Sequence, residues 1–262
     1  MTGKEIVERL FAAAIDKTYE KTCDTWKAGD PERPVTKLGT AMFATPDVIR
    51  AASEWGAQLL IVHEPLYYNH WDDHSAEAIE TEKRRQIEES GIGIVRFHDH
   101  PHEAKPDFII EGLLRKMALS GTVEQTERLG LSRVHLNEPI TPVALAKRIE
   151  KTTGLRHVRI CGARDCPCRE ISVTIGAIGE LVMDELQNPQ QEIVLAGETR
   201  EWGYCEYARD AAQLGYKKSL LVLGHVGSER DGMAYTAEVC QKLFPQLETR
   251  YFECGEVFTY TD

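Results

Sequence analysis

Three apolar runs in this chain end in histidine. Leu59-Leu60-Ile61-Val62 leads into His63-Glu64-Pro65. Ile94-Val95-Arg96-Phe97 leads into His98-Asp99-His100-Pro101-His102. Leu220-Leu221-Val222-Leu223 leads into Gly224-His225, with Glu229 four residues on. Imidazole nitrogen mixed with carboxylate oxygen is a borderline donor set. It suits zinc, iron, manganese, cobalt or nickel better than magnesium or calcium. His225 and Glu229, at i and i+4, share one face if that segment opens a helix. His98 and His102 have the same spacing, but Pro101 argues against a helix there, so a loop is expected to bring them together. The candidate donors are therefore His63, Glu64, His98, His102, His225 and Glu229. That set exceeds one tetrahedral zinc site and suits two divalent ions with a bridging carboxylate.

Other reactive side chains read less sharply. His70 and His74 follow the first donor pair as solvent-facing loop residues or substrate contacts, and the direction of His100 is open. His135 and His157 stand alone and read as structural. Tyr67, Tyr68 and Trp71 could stack on a ring substrate or pack between subunits. Cys161, Cys166 and Cys168 form C-x4-C-x-C, which is not the spacing of common zinc sites. They read as reduced thiols beside a turn, or as an accessory soft-metal or redox site.

Three strand ends converge only if the strands run parallel, because ligands of open α/β sheets sit outside the carboxyl ends. The pattern supports this by alternating short apolar runs with amphipathic stretches. Strands are expected at 35–43, 58–62, 92–97, 158–160, 171–175, 192–195, 219–223 and 249–253. Helices are expected at 3–20, 46–55, 75–89, 108–119, 200–214 and 231–243. Thr45-Pro46 and Thr141-Pro142 each read as an N-cap followed by proline at the first helical position. The halves echo each other: Ala51-Ala52, Gly56, an apolar run and His63 match Ala211-Ala212, Gly215, an apolar run and His225. The expected architecture is α/β, with two similar lobes (1–125 and 126–262, divided in the polar stretch 120–133) and a metal site in the cleft between them.

The chain has 262 residues, a net charge of −11 and 42% hydrophobic content. An acidic balance argues against nucleic acid or an anionic membrane as the main partner. No apolar run approaches a membrane span, and Met1-Thr2-Gly3-Lys4-Glu5 lacks the form of a signal peptide. Seven cysteines without an export signal fit reduced thiols and a cytoplasmic location.

The block Ala57-Gln58-Leu59-Leu60-Ile61-Val62-His63-Glu64-Pro65-Leu66 resembles the "gadlLIsHHPl" block of the YbgI-like dinuclear metal-centre proteins. That family is also called Nif-three-like, or type-two GTP cyclohydrolase I. Leu223-Gly224-His225-Val226-Gly227-Ser228-Glu229 resembles its "aGHyasE" block, His98 to position 102 its "H-x-x-x-D" element, and Ala196-Gly197-Glu198 its "tGE" turn. The resemblance implies a two-lobed subunit, a toroidal homohexamer and a dinuclear site on the same six residues. The sequence departs from the family twice: Glu64 replaces the second histidine of "HHP", and His102 replaces the aspartate. One imidazole becomes a carboxylate and one carboxylate an imidazole, which reads as a compensated swap with Glu64 or Glu229 bridging. Asp99 is a reserve carboxylate.

A metal pair can hold a hydroxide at neutral pH and polarise a substrate oxygen, which supports hydrolysis of a small molecule. Opening the purine ring of GTP is what the resemblance implies. Glu198 and Asp99 are the candidate acid/base helpers, and Arg96, Arg200 and Arg230 could meet phosphates. Gly176-Ala177-Ile178-Gly179 reads as a strand-to-helix turn. The competing readings are a non-enzymatic metal-binding or metal-trafficking protein, and a protein whose metal is structural.

Overall fold

A computed structural model describes residues 1–261. Contacts divide the chain into two compact units, Met1–Phe108 with Gly232–Gly255, and Ile109–Asp231 with the tail from Glu256. A single cut near 125 was the expectation. The cut falls instead after Phe108, and the chain from Gly232, including the last strand, returns to the first unit.

The first unit begins with α1 (Gly3–Ala14), β1 (Trp26–Ala28), β2 (Lys37–Ala41), α2 (Pro46–Trp55) and β3 (Leu59–Val62). It continues through α3 (Ala78–Ser90), β4 (Gly93–Arg96) and α4 (Asp99–Glu103). α5 (Phe108–Met117) opens the second unit. There follow β5 (Gly121–Gln125), β6 (Leu131–Ile140), α6 (Pro142–Thr153), β7 (Arg159–Gly162), β8 (Cys168–Thr174), α7 (Leu181–Gln187) and β9 (Ile193–Ala196). A π-helical turn (Glu201–Cys205) leads into α8 (Glu206–Gln213) and β10 (Ser219–Val222). α9 (His225–Leu243) starts in the second unit and ends in the first, where β11 (Glu248–Phe252) completes the chain's strands.

The first sheet has the order β1-β4-β3-β2-β11, all parallel except β1 at the edge. Every residue of β3 and β4 is buried, as expected of parallel strands covered on both faces. The second sheet has the order β5-β6-β8-β9-β10-β7, with a parallel centre of β8, β9 and β10 and antiparallel flanks.

Both threonine caps form. Thr45 Oγ1 accepts from Val48 N at 3.2 Å, and Thr141 Oγ1 accepts from Ala144 N at 3.2 Å. The echo is also real at the level of local structure. α2 ends on left-handed Gly56 (φ 84°) before β3 and His63, and α8 is followed by left-handed Gly215 (φ 88°) before β10 and His225.

Several expectations needed correcting. The stretch 120–133, expected to divide the lobes, lies within the second unit and holds β5 and the start of β6, paired as an antiparallel hairpin. Its polarity reflects an edge strand exposed along its whole length. A short helix, α4, forms despite Pro101, which sits in the first turn, where no intrahelical N–H bond is lost. The helix expected at 231–243 starts at His225.

Candidate metal centre

Three imidazoles meet at the carboxyl ends of β3 and β4. His63 follows β3, His98 occupies the N-cap of α4, and His102 lies one turn along. Their ring centroids are 4.7 Å (His63–His98), 5.0 Å (His63–His102) and 5.1 Å (His98–His102) apart. One potential ligand atom from each lies within 4.8 Å of the others.

Each Nδ1 is already engaged. His63 Nδ1 is 2.9 Å from Phe97 O, His98 Nδ1 is 3.0 Å from Asp99 Oδ1, and His102 Nδ1 is 3.0 Å from Asp107 Oδ2. A carbonyl or carboxylate oxygen only accepts, so Nδ1 carries the proton and Nε2 keeps its lone pair in the neutral ring. That is the arrangement by which outer-shell acceptors prepare histidines for a metal.

The sequence reading missed what holds these rings in place. Asp24, just before β1, is buried and accepts four hydrogen bonds from residues 98–100. They come from His98 N (2.6 Å), Asp99 N (3.1 Å), His100 N (2.9 Å) and His100 Nδ1 (2.6 Å). One carboxylate thus caps α4, the segment that carries two of the imidazoles. The ring of His100 is clasped by Phe11 and Tyr19, at centroid distances of 4.1 and 4.8 Å, so it faces the interior and not the triad. No local signal ties Asp24 to residues more than seventy positions away.

Arg96, the last residue of β4, is fully buried. Its Nε donates to His63 O at 3.1 Å, Nη2 to Glu64 Oε2 at 3.4 Å, and Nη1 to His70 O. It therefore fixes the first donor pair and is not available for a phosphate. Glu64 is buried, with a carboxylate oxygen within 4.8 Å of a His63 ring nitrogen.

Asp99 orients His98. Its other oxygen accepts from Thr22 Oγ1 at 2.7 Å, and Cys23 Sγ donates to Oδ1 at 3.5 Å. Burial works to raise its pKa, but hydrogen bonds from His98, Thr22 and Cys23 outweigh it and hold the carboxyl well below the usual carboxylate range. Cys23, His98 and Asp99 form a second possible donor group, yet burial pushes the Cys23 thiol well up and these groups already bond one another. The histidine triad fits a divalent cation better.

His70 flanks the triad, with its ring 6.0 Å from His98. Its pKa is lowered by burial and by the Arg96 guanidinium. His74 is exposed and touches Tyr67.

In the second unit the ends of β9 and β10 place a second set of donors. His225 Nδ1 is 2.8 Å from Glu198 Oε1, and its Nε2 is 3.1 Å from Glu229 Oε2, one turn further along α9. The i, i+4 face expected from sequence therefore exists, and Glu198 orients the histidine. Gly176 makes room for this pair. It lies between β8 and α7, as the turn expected there, with φ +59°, and a Cβ would sit 2.2 Å from Glu229 Oε1. A cavity of about 410 Å³ opens beside His225, lined by His157, Arg159, Glu198, Phe258 and Tyr260 among others. His157, read as a bystander, packs on Tyr260 at a centroid distance of 4.4 Å in that wall. His135 is exposed beside Glu170. Of the remaining arginines, Arg200 pairs with Glu180 and Arg230 donates to Thr153 O at 2.7 Å.

Comparison with known proteins agrees with this fold. The chain is 22% identical over 206 residues to a Clostridium perfringens protein named GTP cyclohydrolase 1 type 2 homolog, covering 77% of this chain and 76% of that one. A Bacillus cereus protein related to NIF3 superposes with a TM-score of 0.80 at 14% identity, covering 100% of this chain and 99% of that one. The protein ybgI, described as of unknown function, gives 0.76 at 20% identity, covering 98% and 99%. The fold thus recurs in solved structures of low sequence identity, and the family model for Duf34/NIF3 (NGG1p interacting factor 3) matches residues 1–255. The chain belongs to the Duf34/NIF3 family.

Proposed function

We propose that this chain binds divalent metal and is a metal-dependent hydrolase of a nucleotide or related heterocycle. One observation carries the reading: the imidazoles of His63, His98 and His102 converge with every Nδ1 held by an acceptor. Such a set fits zinc, iron or manganese. Two ions is the proposed count, one on the triad with Glu64 nearby, the other on His225 and Glu229. A bound ion would supply Lewis-acid polarisation of a substrate oxygen.

The chain's own residues have separable duties. Asp99, Asp107 and Phe97 O fix the imidazole tautomers. Glu198 does the same for His225 and, being exposed at the cavity, is the side chain proposed to move a proton to or from substrate. The cavity beside His225 is the proposed seat of a small-molecule ring. The curated relatives' name makes a GTP-like purine the first substrate to assay. The homohexamer implied by the family resemblance belongs to this proposal. Among the described residues no helix is long and apolar enough to cross a membrane.

The test is elemental analysis of protein purified without chelator, alongside GTP turnover followed by chromatography. Wild type should hold two equivalents of metal, and His98→Ala with His102→Ala should lose one of them along with turnover. An unchanged metal content in that double variant would sink the triad. Metal bound with no turnover on any nucleotide would favour the carrier reading.

A further inference from the structure

Cys166 and Cys168 lie in the second unit and take no part in the donor sets above. Their sulfurs are 3.5 Å apart, and Cys168 Sγ is 3.4 Å from Cys166 O. We propose that these two thiols form a redox-active pair that closes to a disulfide on reaction with a peroxide.

The geometry is held from both sides. Upstream, Val143 N donates to Arg164 O at 3.1 Å and Ala163 N to Lys218 O at 2.8 Å. Downstream, Cys168 opens β8, and Glu192 Oε2 accepts from Arg169 N at 2.7 Å and Glu170 N at 3.2 Å. Between the thiols, the Pro167 ring restricts φ. The sulfurs must approach by about 1.5 Å to reach bonding distance, within reach of side-chain rotation and a small backbone shift. An anchored pair reacts at high effective concentration, so ring closure outcompetes attack by an outside thiol.

The surroundings set the order of events. Cys168 is buried, and burial, followed by its hydrogen bond to Cys166, pushes its thiol well up. Cys166 is half-buried and meets solvent first. Its thiolate attacks one peroxide oxygen; the O–O bond breaks and hydroxide leaves, giving a sulfenic acid. The Cys168 sulfur then displaces the sulfenic oxygen, which departs as water with the Cys168 proton. Two thiols and one hydrogen peroxide become one disulfide and two waters, with sulfur oxidised and peroxide reduced. A metal is the weaker occupant. Among the described residues, no group of three convergent donor atoms includes either cysteine.

The full chain, treated with equimolar hydrogen peroxide, alkylated under denaturing conditions and digested with trypsin, gives a direct reading. Both sulfurs fall in the one tryptic peptide Asp165–Arg169. That peptide should lose two hydrogens, take no alkyl group, and recover two alkylation sites after dithiothreitol. In Cys168→Ser, Cys166 should stop at the sulfenic acid and be trapped by dimedone. Wild-type peptide still carrying two alkyl groups, or Cys166 passing to sulfinic acid unlinked, would overturn the proposal. So would a link that forms only between Cys161 and Cys205, a second neighbouring pair, where burial, then the hydrogen bond to Cys205, pushes the Cys161 thiol up to about 12.

Discussion

Replacing Asp24 with asparagine tests the central structural argument without touching a proposed metal donor. The Asp24 carboxylate divides its work. Oδ1 accepts from His98 N and Asp99 N, while Oδ2 accepts from His100 N and His100 Nδ1. Asparagine keeps one oxygen and turns the other position into a donor that faces donors. With the amide nitrogen at the Oδ1 position both backbone bonds there are lost; at the Oδ2 position the His100 N bond is lost, while His100 Nδ1 can accept from the amide in its other tautomer. A hydrogen bond to a charged group contributes roughly 1.5–3 kcal/mol, but two that share a loop are not additive, because the loop relaxes once the first is gone. The expected destabilisation is about 2–3 kcal/mol, at or just above the upper end for loss of a helix cap, because the lost bonds are to a buried charge. The helix end loses its anion as well, which weakens the favourable interaction with the helix dipole.

Two assays read this out. Urea unfolding should show a lower midpoint at unchanged slope, as expected when stability falls without a change in exposed surface. Zinc titration against a chelating indicator should show affinity down roughly 10- to 100-fold, the usual consequence of losing an outer-shell support. The variant keeps all three triad imidazoles, so a loss of zinc affinity at temperatures where it stays folded reports the support and charge that Asp24 supplies and not a lost ligand. Wild-type zinc affinity in a demonstrably folded Asp24→Asn protein would refute the idea that this cap holds His98 and His102 in register.

Other outcomes follow from single contacts. Burial lowers the pKa of Lys83 to about 8 against the opposing charge of Asp72, while the unfolded chain titrates near 10.4. A base depressed in the folded state destabilises it below that folded value, by up to about 3 kcal/mol. The penalty is relieved as pH rises from 8 toward 10. Lys83→Met should remove that rise from the pH dependence of urea unfolding, and parallel wild-type and variant profiles would contradict it. Gly176→Ala should cost about 2–3 kcal/mol from its left-handed backbone and the 2.2 Å approach to Glu229 Oε1, and should lower metal stoichiometry. His102→Asp alone should abolish zinc binding by the triad, and His102→Asp with Asp107→Asn should regain part of it. Equal zinc affinity in those last two would show that Asp107 does not matter.

Much of the site was legible because its signals are local. An apolar run bounded by a left-handed glycine and a histidine marks β3 and β10 directly, and threonine caps mark α2 and α6. The i, i+4 face of His225 and Glu229 follows from helix geometry once the helix is placed. What escaped depends on distance in sequence or on context. The start of α9 was disguised by Gly227-Ser228, residues of ordinary or poor helix propensity. β5 faces solvent along its whole length and so lacks the apolar alternation that announces a strand. β11 pairs with β2 across more than two hundred residues, which no window can detect.

The exchange at positions 64 and 102 gains a physical basis from the groups beside them. Within the first unit, the family pattern given by the resemblance supplies three imidazoles and one carboxylate. This chain supplies the same count from His63, His98, His102 and Glu64, with the two types traded. Each traded side chain has a partner of matching chemistry. The Glu64 carboxylate meets the fully buried Arg96 guanidinium at 3.4 Å, and the His102 imidazole meets Asp107 at 3.0 Å. Reverting both positions would set an imidazole against a buried guanidinium and one carboxylate against another. Either pairing leaves a charge without its counter-ion in a desolvated place, where a broken buried pair costs about 3–5 kcal/mol. Arg96 and Asp107 thus hold Glu64 and His102 in this chain, and any exchange at 64 and 102 must suit both partners.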